Sequence, residues 1–188
     1  MSAAAVGAVA AVAVVAALAA ATSPAQAPEP VPSPFTAGHS VDGRAIVAER
    51  IGDPAAERVA LAVGVIHGDE RAGVRVLSAL RAREDRLDGV QVWLLRSLNP
   101  DGEERDARKN AHGVDLNRNF PHRWRGDVPR SSGYHPGPSP ASEPETQAAI
   151  RLIEAIRPDV SVHYHQPWGA VLACRGRSKL AARYARIA

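Results

Sequence analysis

Residues 58–66 form a short apolar segment, which is followed at once by the polar sequence His67-Gly68-Asp69-Glu70. An apolar run of this length is typical of a strand buried on both faces of a sheet. Val74, Leu77 and Leu80 then recur at the spacing of one helix face. The segment therefore predicts a strand that passes directly into a helix, with polar side chains at the carboxyl end of the strand.

The alternation of strands and helices continues along the chain. Residues 90–95 predict a second strand, and Asn99-Pro100-Asp101-Gly102 is a turn signal after it. A helix is predicted to begin at Ser142, where residues 142–145 have the form of a capping box, and to end before Pro158. Residues 159–165 predict the last strand. This order favours an α/β fold, with a central, largely parallel or mixed twisted sheet and helices on both faces.

The N-terminal segment is not expected to belong to that fold. Residues 2–22 are mostly Ala and Val, and Ala25-Gln26-Ala27 is a small-x-small pattern. Residues 1–27 therefore predict a signal peptide, although the run is also long enough for an uncleaved N-terminal anchor. Residues 28–35 predict a Pro-rich linker and residues 36–188 the domain, which we expect to be secreted or extracytoplasmic.

Composition narrows the class of protein. Cys174 is the single cysteine, which excludes an internal disulfide. The formal net charge of +3 comes with basic and acidic residues that alternate along the chain. Because no basic stretch is interleaved with aromatic residues, we expect no nucleic-acid partner.

His67 and Glu70 are candidate metal ligands. Three residues apart at the start of a helix, the two side chains can converge on one point. An imidazole nitrogen and a carboxylate oxygen are a common zinc pair, and a catalytic zinc needs a third protein ligand. Taken alone, the pair also fits a histidine that ends a strand and a Glu favoured by the helix dipole.

The third ligand is expected at the end of another strand, because open α/β sheets place their sites there. His163 and His165 occur in the last predicted strand, and their side chains point the same way because strand side chains alternate. His165 is nearer the tip of the strand and is favoured. His163 stays an alternative, and it also fits a hydrogen-bonded neighbour inside the sheet.

A loop rich in Arg and Asn lies between these candidate ligands. Leu116 and Phe120 are apolar anchors that we expect to fix the loop and to turn Asn117 and Arg118 inward. An Arg side chain offers a bidentate fork for a carboxylate, which suits recognition of a free C-terminus. Ordinary solvated surface is the alternative.

Five short motifs resemble the M14 family of zinc carboxypeptidases in type and order, over about residues 38–176. They are His67-Gly68-Asp69-Glu70, Asn99-Pro100-Asp101-Gly102, Arg108, the sequence from Val114 to Phe120, and the later strand-end histidine. Residues 142–147 are most similar to the branch that includes murein peptide amidases. Those enzymes cut the γ-D-glutamyl–diaminopimelate bond of cell-wall peptides.

The resemblance implies one zinc ion per chain, held by His67, Glu70 and His165. It implies that Asp115 orients His67 and that Arg108 stabilises the oxyanion. Asn117 and Arg118 would hold the terminal carboxylate of the substrate. The implied activity is hydrolysis of a C-terminal peptide bond, or of the cell-wall amide bond, by a zinc-activated water. The implied substrate is a peptide or muropeptide with a free carboxylate, and a membrane is a partner only if residues 1–27 stay attached.

This sequence departs from the family at the general base. In the family the base is a glutamate on a late strand, well after the last ligand, whereas none of the residues after His165 in this sequence is Asp or Glu. We therefore expect the chain to be C-terminally incomplete and inactive by itself, with the base beyond Ala188. A non-catalytic zinc- or peptide-binding module is the alternative if Ala188 is the true terminus.

Overall fold

Five strands form one sheet in the part of the chain that the structure, a computed structural model, describes: residues 30–166, 171–172 and 179–186. The signal peptide or anchor predicted over residues 1–27 and the single cysteine, Cys174, lie outside these residues. No helix within them is long and apolar enough to cross a membrane. The elements are β1 (Phe35–His39), β2 (Ala45–Gly52), β3 (Val59–Val63), α1 (Ala72–Arg81), β4 (Gln91–Leu95), α2 (Pro100–Glu104), α3 (Leu116–Asn119), α4 (Pro144–Ile156), β5 (Val160–His163) and α5 (Lys179–Tyr184).

The sheet is mixed, with the strand order β1-β2-β4-β3-β5. β2 is antiparallel to both β1 and β4, whereas β3 is parallel to both β4 and β5. The predicted α/β fold with a largely parallel or mixed sheet is confirmed. β1 and β2 add an antiparallel edge that the predicted alternation of strands and helices does not contain.

Helices cover both faces of the sheet. Consecutive residues of β3 point to opposite faces, so each face of this strand packs against a different helix. Leu61 and Val63 pack in the same core cluster as Leu152 of α4. Ala62, between them, belongs to the second cluster, with Leu77 of α1. Burial of each leucine contributes about 2 kcal/mol of hydrophobic stabilisation, and together the two clusters fix both helices against the sheet.

The pairing of β3 with β5 determines where the polar segments meet. Val63 is the register partner of His163, and each is the last residue of its strand. The segments that follow these two parallel strands therefore leave the sheet side by side at its carboxyl edge. β5 ends two residues earlier than predicted, so His165 lies in the segment after the strand.

Two predicted helix and turn signals are placed differently in the structure. Asn99 begins a short helix instead of a turn, and its side chain accepts a hydrogen bond from the backbone N–H of Gly102. α4 begins at Pro144, after Glu143, which makes no side-chain cap hydrogen bond. Proline fits the first helical position because its fixed φ suits a helix and its missing N–H has no partner to lose there.

Candidate active site

The loop after β3 carries His67 and Glu70 to the carboxyl edge of the sheet, beside the segment that carries His165. Gly68 lets this loop pack directly against α2. A Cβ atom at Gly68 would collide with the backbone of Gly102, so only glycine permits the approach. The loop is thereby fixed between β3 and α1 without a side chain in the way.

The side chains of His67, Glu70 and His165 converge. One ligand atom from each lies within 4.8 Å of the others. Glu70 Oε2 is 3.0 Å from His67 Nδ1 and 2.8 Å from His165 Nδ1. His67 and Glu70 are 1% and 8% exposed, whereas the His165 side chain is 31% exposed. The cluster is therefore buried on one side and open to solvent on the other.

Asp115 determines which nitrogen of His67 faces the cluster. Its fully buried carboxylate lies 3.0 Å from His67 Nε2 through Oδ1. Because a carboxylate only accepts, Nε2 donates to Asp115, and Nδ1 is the nitrogen that faces Glu70 and would ligate a metal ion. Burial alone would raise the pKa of Asp115, but the hydrogen bonds from His67 and Arg108 outweigh it and hold the pKa below its usual value.

The chemistry of this donor set fits a metal ion. A carboxylate oxygen next to two imidazole nitrogens requires positive charge between them, and burial by itself would raise the pKa of Glu70. The hydrogen bonds of His67 and His165 outweigh burial and lower that pKa, so Glu70 is ionised at neutral pH. Two histidines, one carboxylate and an open side form the ligand set of a catalytic zinc site.

His163 does not belong to this cluster of ligand atoms, although it lies only two residues from His165. Burial, together with the neighbouring charge of His165, lowers the pKa of His163 to about 4, so its ring is neutral at pH 7. Of the two candidate histidines, the structure brings His165 to His67 and Glu70.

Arg108 lies next to the cluster and is held there by Asp115. Its Nε and Nη2 donate to Asp115 Oδ2 at 3.1 and 2.8 Å. The remaining nitrogen, Nη1, is 3.3 Å from His67 Nδ1 and 3.4 Å from Glu70 Oε1. The guanidinium is thus fixed on one edge and turned toward the cluster on the other.

The short helix α3 presents its residues differently from the prediction. Leu116 is buried and Phe120 packs against the core, as expected for apolar anchors. Asn117 and Arg118 are exposed, however, and the expectation that they turn inward is wrong. Asn119 takes the second inward position, one helical turn after Leu116.

Two further carboxylates form a buried cluster, the Glu143/Glu145 cluster, at the start of α4, where the sequence predicts only a capping box. Glu143 and Glu145 are 2% and 0% exposed. Asn110 Nδ2 donates to both, at 2.8 and 3.0 Å, and His112 Nδ1 lies 2.8 Å from Glu143 Oε2. Asn110 Oδ1 in turn accepts from the backbone N–H of Val114 at 3.0 Å, so the cluster anchors the segment that ends in Asp115.

Tyr134 lies beside the cluster and is not predicted as a site residue from the sequence. Its ring centroid lies 5.2 Å from Arg108 Cζ and 5.5 Å from Arg118 Cζ. A lone aromatic residue in a loop rich in Gly, Pro and Ser was the only available signal, and it does not indicate what the ring contacts.

Comparison with known proteins agrees with this geometry. A family model described as zinc carboxypeptidase, Peptidase_M14, matches residues 25–174. Murein peptide amidase A from Escherichia coli strain K12 is 42% identical over 134 residues, which cover 64% of this chain and 53% of that protein. The chain thus spans about half the length of the curated relatives it matches first.

Solved structures show the same likeness. Murein-tripeptide amidase MpaA from Escherichia coli O157 superposes with a TM-score of 0.58 at 34% identity, covering 72% of this chain and 62% of that one. Carboxypeptidase A from Helicoverpa armigera gives a TM-score of 0.62 at 25% identity, covering 74% and 42%. The resemblance to the murein peptide amidase branch is confirmed. Since the family model covers most of the sequence, the chain belongs to the M14 family of zinc carboxypeptidases.

Proposed function

We propose that the protein to which this chain belongs is a zinc-dependent peptidase that hydrolyses an amide bond next to a free carboxylate. The observation that carries the proposal is the convergence of His67 Nδ1, Glu70 Oε2 and His165 Nδ1 at a partly open edge of the sheet. These three side chains would hold the ion. Bound zinc supplies a Lewis acid that polarises a carbonyl and lowers the pKa of a water molecule.

Arg108 is placed to stabilise the oxyanion. Two of its nitrogens are held by Asp115, so the guanidinium needs no reorganisation when charge develops on a substrate oxygen. Nη1, which faces the cluster, is the donor that we assign to this oxygen. Asp115 therefore has two roles, since it also fixes the ring of His67.

Arg118 is placed to bind the substrate's carboxylate. It is exposed, and within the described residues its guanidinium has no carboxylate partner; its hydrogen bond goes to the carbonyl of Asn117 at 3.1 Å. An exposed guanidinium without a counter-ion is available for a bidentate contact with a ligand. The neighbouring Asn117 would add a side-chain amide.

We further propose the γ-D-glutamyl–diaminopimelate bond of cell-wall peptides as the substrate bond. Diaminopimelate presents a free carboxylate to Arg118, and the 42%-identical relative is a murein peptide amidase. Both carboxylates at the cluster, Glu70 and Asp115, already contact histidine side chains. We therefore assign the general base to another part of the protein. A cell-wall substrate also agrees with export through the N-terminal segment, which we propose as a secretion signal.

The test is hydrolysis of the tripeptide L-Ala-γ-D-Glu-meso-diaminopimelate by the intact protein. We expect release of diaminopimelate, loss of activity with a chelator and recovery with zinc. His67→Ala should lose zinc and activity together, whereas Asp127→Ala, an exposed control, should keep both. Zinc and tripeptide binding without any hydrolysis would support a binding module instead. Hydrolysis that survives both chelation and His67→Ala would overturn the proposal.

A further inference from the structure

Tyr134 connects the two guanidiniums of the site. Its ring lies within cation–π distance of Arg108 and of Arg118, because both Cζ atoms are less than 6 Å from the ring centroid. The side chain is nevertheless 55% exposed, although large apolar rings are normally covered. A half-exposed ring that contacts two charged groups is not explained by core packing.

The backbone around Tyr134 is fixed to the elements that carry the site. The carbonyl of His135 accepts from the backbone N–H of Asp115 at 2.8 Å. The next carbonyl, of Pro136, accepts from Asn119 Nδ2 at 2.8 Å. These bonds join residues 134–136, the tyrosine loop, to both ends of α3. The ring therefore keeps its place relative to Asp115 and to the helix that carries Arg118.

The two arginines differ in what else restrains them. Arg108 is held by two hydrogen bonds to Asp115. Arg118 has the Tyr134 ring and the carbonyl of Asn117 as its contacts among the described residues. A free arginine side chain has many rotamers, and ordering it on binding costs affinity. The ring therefore matters more for Arg118 than for Arg108.

We propose that Tyr134 is a positioning residue that holds Arg118 in the orientation in which it binds the substrate's carboxylate. The aromatic face attracts the guanidinium without neutralising it, which an acidic side chain would do. The proposal rests on the proposed function, because it assumes that Arg118 binds a carboxylate. Under this proposal Tyr134, which lies outside the candidate metal site, contributes to the preference for a substrate with a free carboxylate over one with an amide.

Binding of the reaction product tests this without turnover. The probes are meso-diaminopimelate and its diamide, titrated by NMR into the zinc-loaded intact protein. We expect Tyr134→Leu to weaken diaminopimelate binding about two- to ten-fold, the cost of ordering one arginine side chain on binding, and to leave diamide binding unchanged. Tyr134→Phe keeps the aromatic face and should bind like the parent.

A double-mutant cycle makes the test specific. If Tyr134 acts through Arg118, then Tyr134→Leu should have little effect in an Arg118→Ala background. A parent protein that binds diaminopimelate and its diamide equally would overturn the proposed carboxylate recognition, and this inference with it. A parent that discriminates, with a Tyr134→Leu variant that discriminates equally well, would overturn this inference alone. Equal weakening by Tyr134→Phe and Tyr134→Leu would also overturn it, since the aromatic face would then be irrelevant.

Discussion

Two pairs of buried carboxylates lie at the two ends of the segment from Asn110 to Asp115, and their partners differ in kind. Glu143 and Glu145 are surrounded by groups that donate: the Asn110 amide, the Ser142 hydroxyl and the backbone N–H of Val41. Their oxygens are satisfied without any added ion, so this cluster is a framework.

The other pair, Glu70 and Asp115, contacts histidines. Asp115 accepts a hydrogen bond from His67 Nε2, which leaves Nδ1 facing Glu70. His165 adds a second nitrogen at 2.8 Å. A carboxylate and two imidazole nitrogens that converge in this way can share a proton or bind a metal cation. The difference teaches that the residue type does not decide between a scaffold and a metal site; the balance of donors and acceptors does.

The largest expected effect is the loss of a metal ligand. His165→Ala should lower zinc affinity more than 100-fold, because each ligand of a protein zinc site supplies on the order of 3 kcal/mol. Competition with a fluorescent chelator measures the affinity. His163→Asn is the matched control on the same segment and should change it by less than about three-fold. Equal losses in the two variants would mean that His165 is not the third ligand.

Removal of a framework carboxylate should act on stability instead. Glu143→Ala leaves the donors of Asn110, Ser142 and His112 without their buried acceptor, and we expect a loss of about 3 kcal/mol in the free energy of unfolding. Urea denaturation of the metal-free protein measures it. Zinc affinity of the folded variant should fall much less than in His165→Ala; an equal fall would contradict the separation of framework and site.

Glu143→Gln sharpens the same contrast because it removes the charge and keeps the shape. Burial raises the pKa of Glu143, but the hydrogen bonds from Ser142, Asn110 and His112 outweigh it and lower the pKa below its usual value. Ionised Glu143 therefore stabilises the fold above the unfolded pKa of about 4.3, and this contribution is lost as the pH falls through the folded pKa. We expect the variant to be less stable by about 1 kcal/mol at pH 7 and the deficit to shrink below pH of about 4. A deficit that grows on acidification would show that the carboxylate is not held ionised.

A loss of zinc affinity smaller than that of His165→Ala is expected where the two pairs are linked. Asp115→Asn keeps the side-chain shape but weakens the hold on His67, so zinc affinity should fall about 10- to 100-fold, the usual effect of removing a ligand's orienting partner. Asp127→Asn, on the exposed loop, is the control and should leave affinity unchanged. An Asp115→Asn variant with unchanged affinity would mean that the ring of His67 is oriented by its packing alone.

The candidate metal site is more predictable from the sequence than the framework, for a physical reason. His67 and Glu70 are local neighbours at a strand end, and the position of His165 follows from the rule that parallel strands present their carboxyl ends at one edge. The partners of the framework are remote: Glu143 lies 33 residues from Asn110, and Glu145 lies 104 residues from Val41. No local pattern encodes such contacts, so the sequence around both glutamates indicates only the start of a helix.

The same limit applies to Tyr134 and to the first two strands. Tyr134 reaches Arg108 only because the tyrosine loop folds back on α3 through backbone hydrogen bonds. Any residue type can make such bonds, so the sequence does not indicate them. β1 and β2 are antiparallel, and β2 has a solvent-facing side, so neither shows the continuous apolar run that marked β3. The order of chemical motifs was therefore predictable, and the contacts that fix them were not.

An effect as small as that of Glu143→Gln, but of opposite sign, is expected at the residue next to Glu145. Thr146 is fully buried, and its hydroxyl has no hydrogen-bond partner among the described residues, unlike the neighbouring carboxylates of the framework. Thr146→Val replaces that hydroxyl with a methyl group of similar size, which removes the desolvation cost of an unpaired polar group. We expect the free energy of unfolding to rise by about 1 kcal/mol in urea denaturation, with zinc affinity unchanged. Ser142→Ala is the opposite control, since its hydroxyl donates to Glu143 and its removal should destabilise the fold. A Thr146→Val variant that also loses stability would place Thr146 inside the hydrogen-bonded framework instead of beside it.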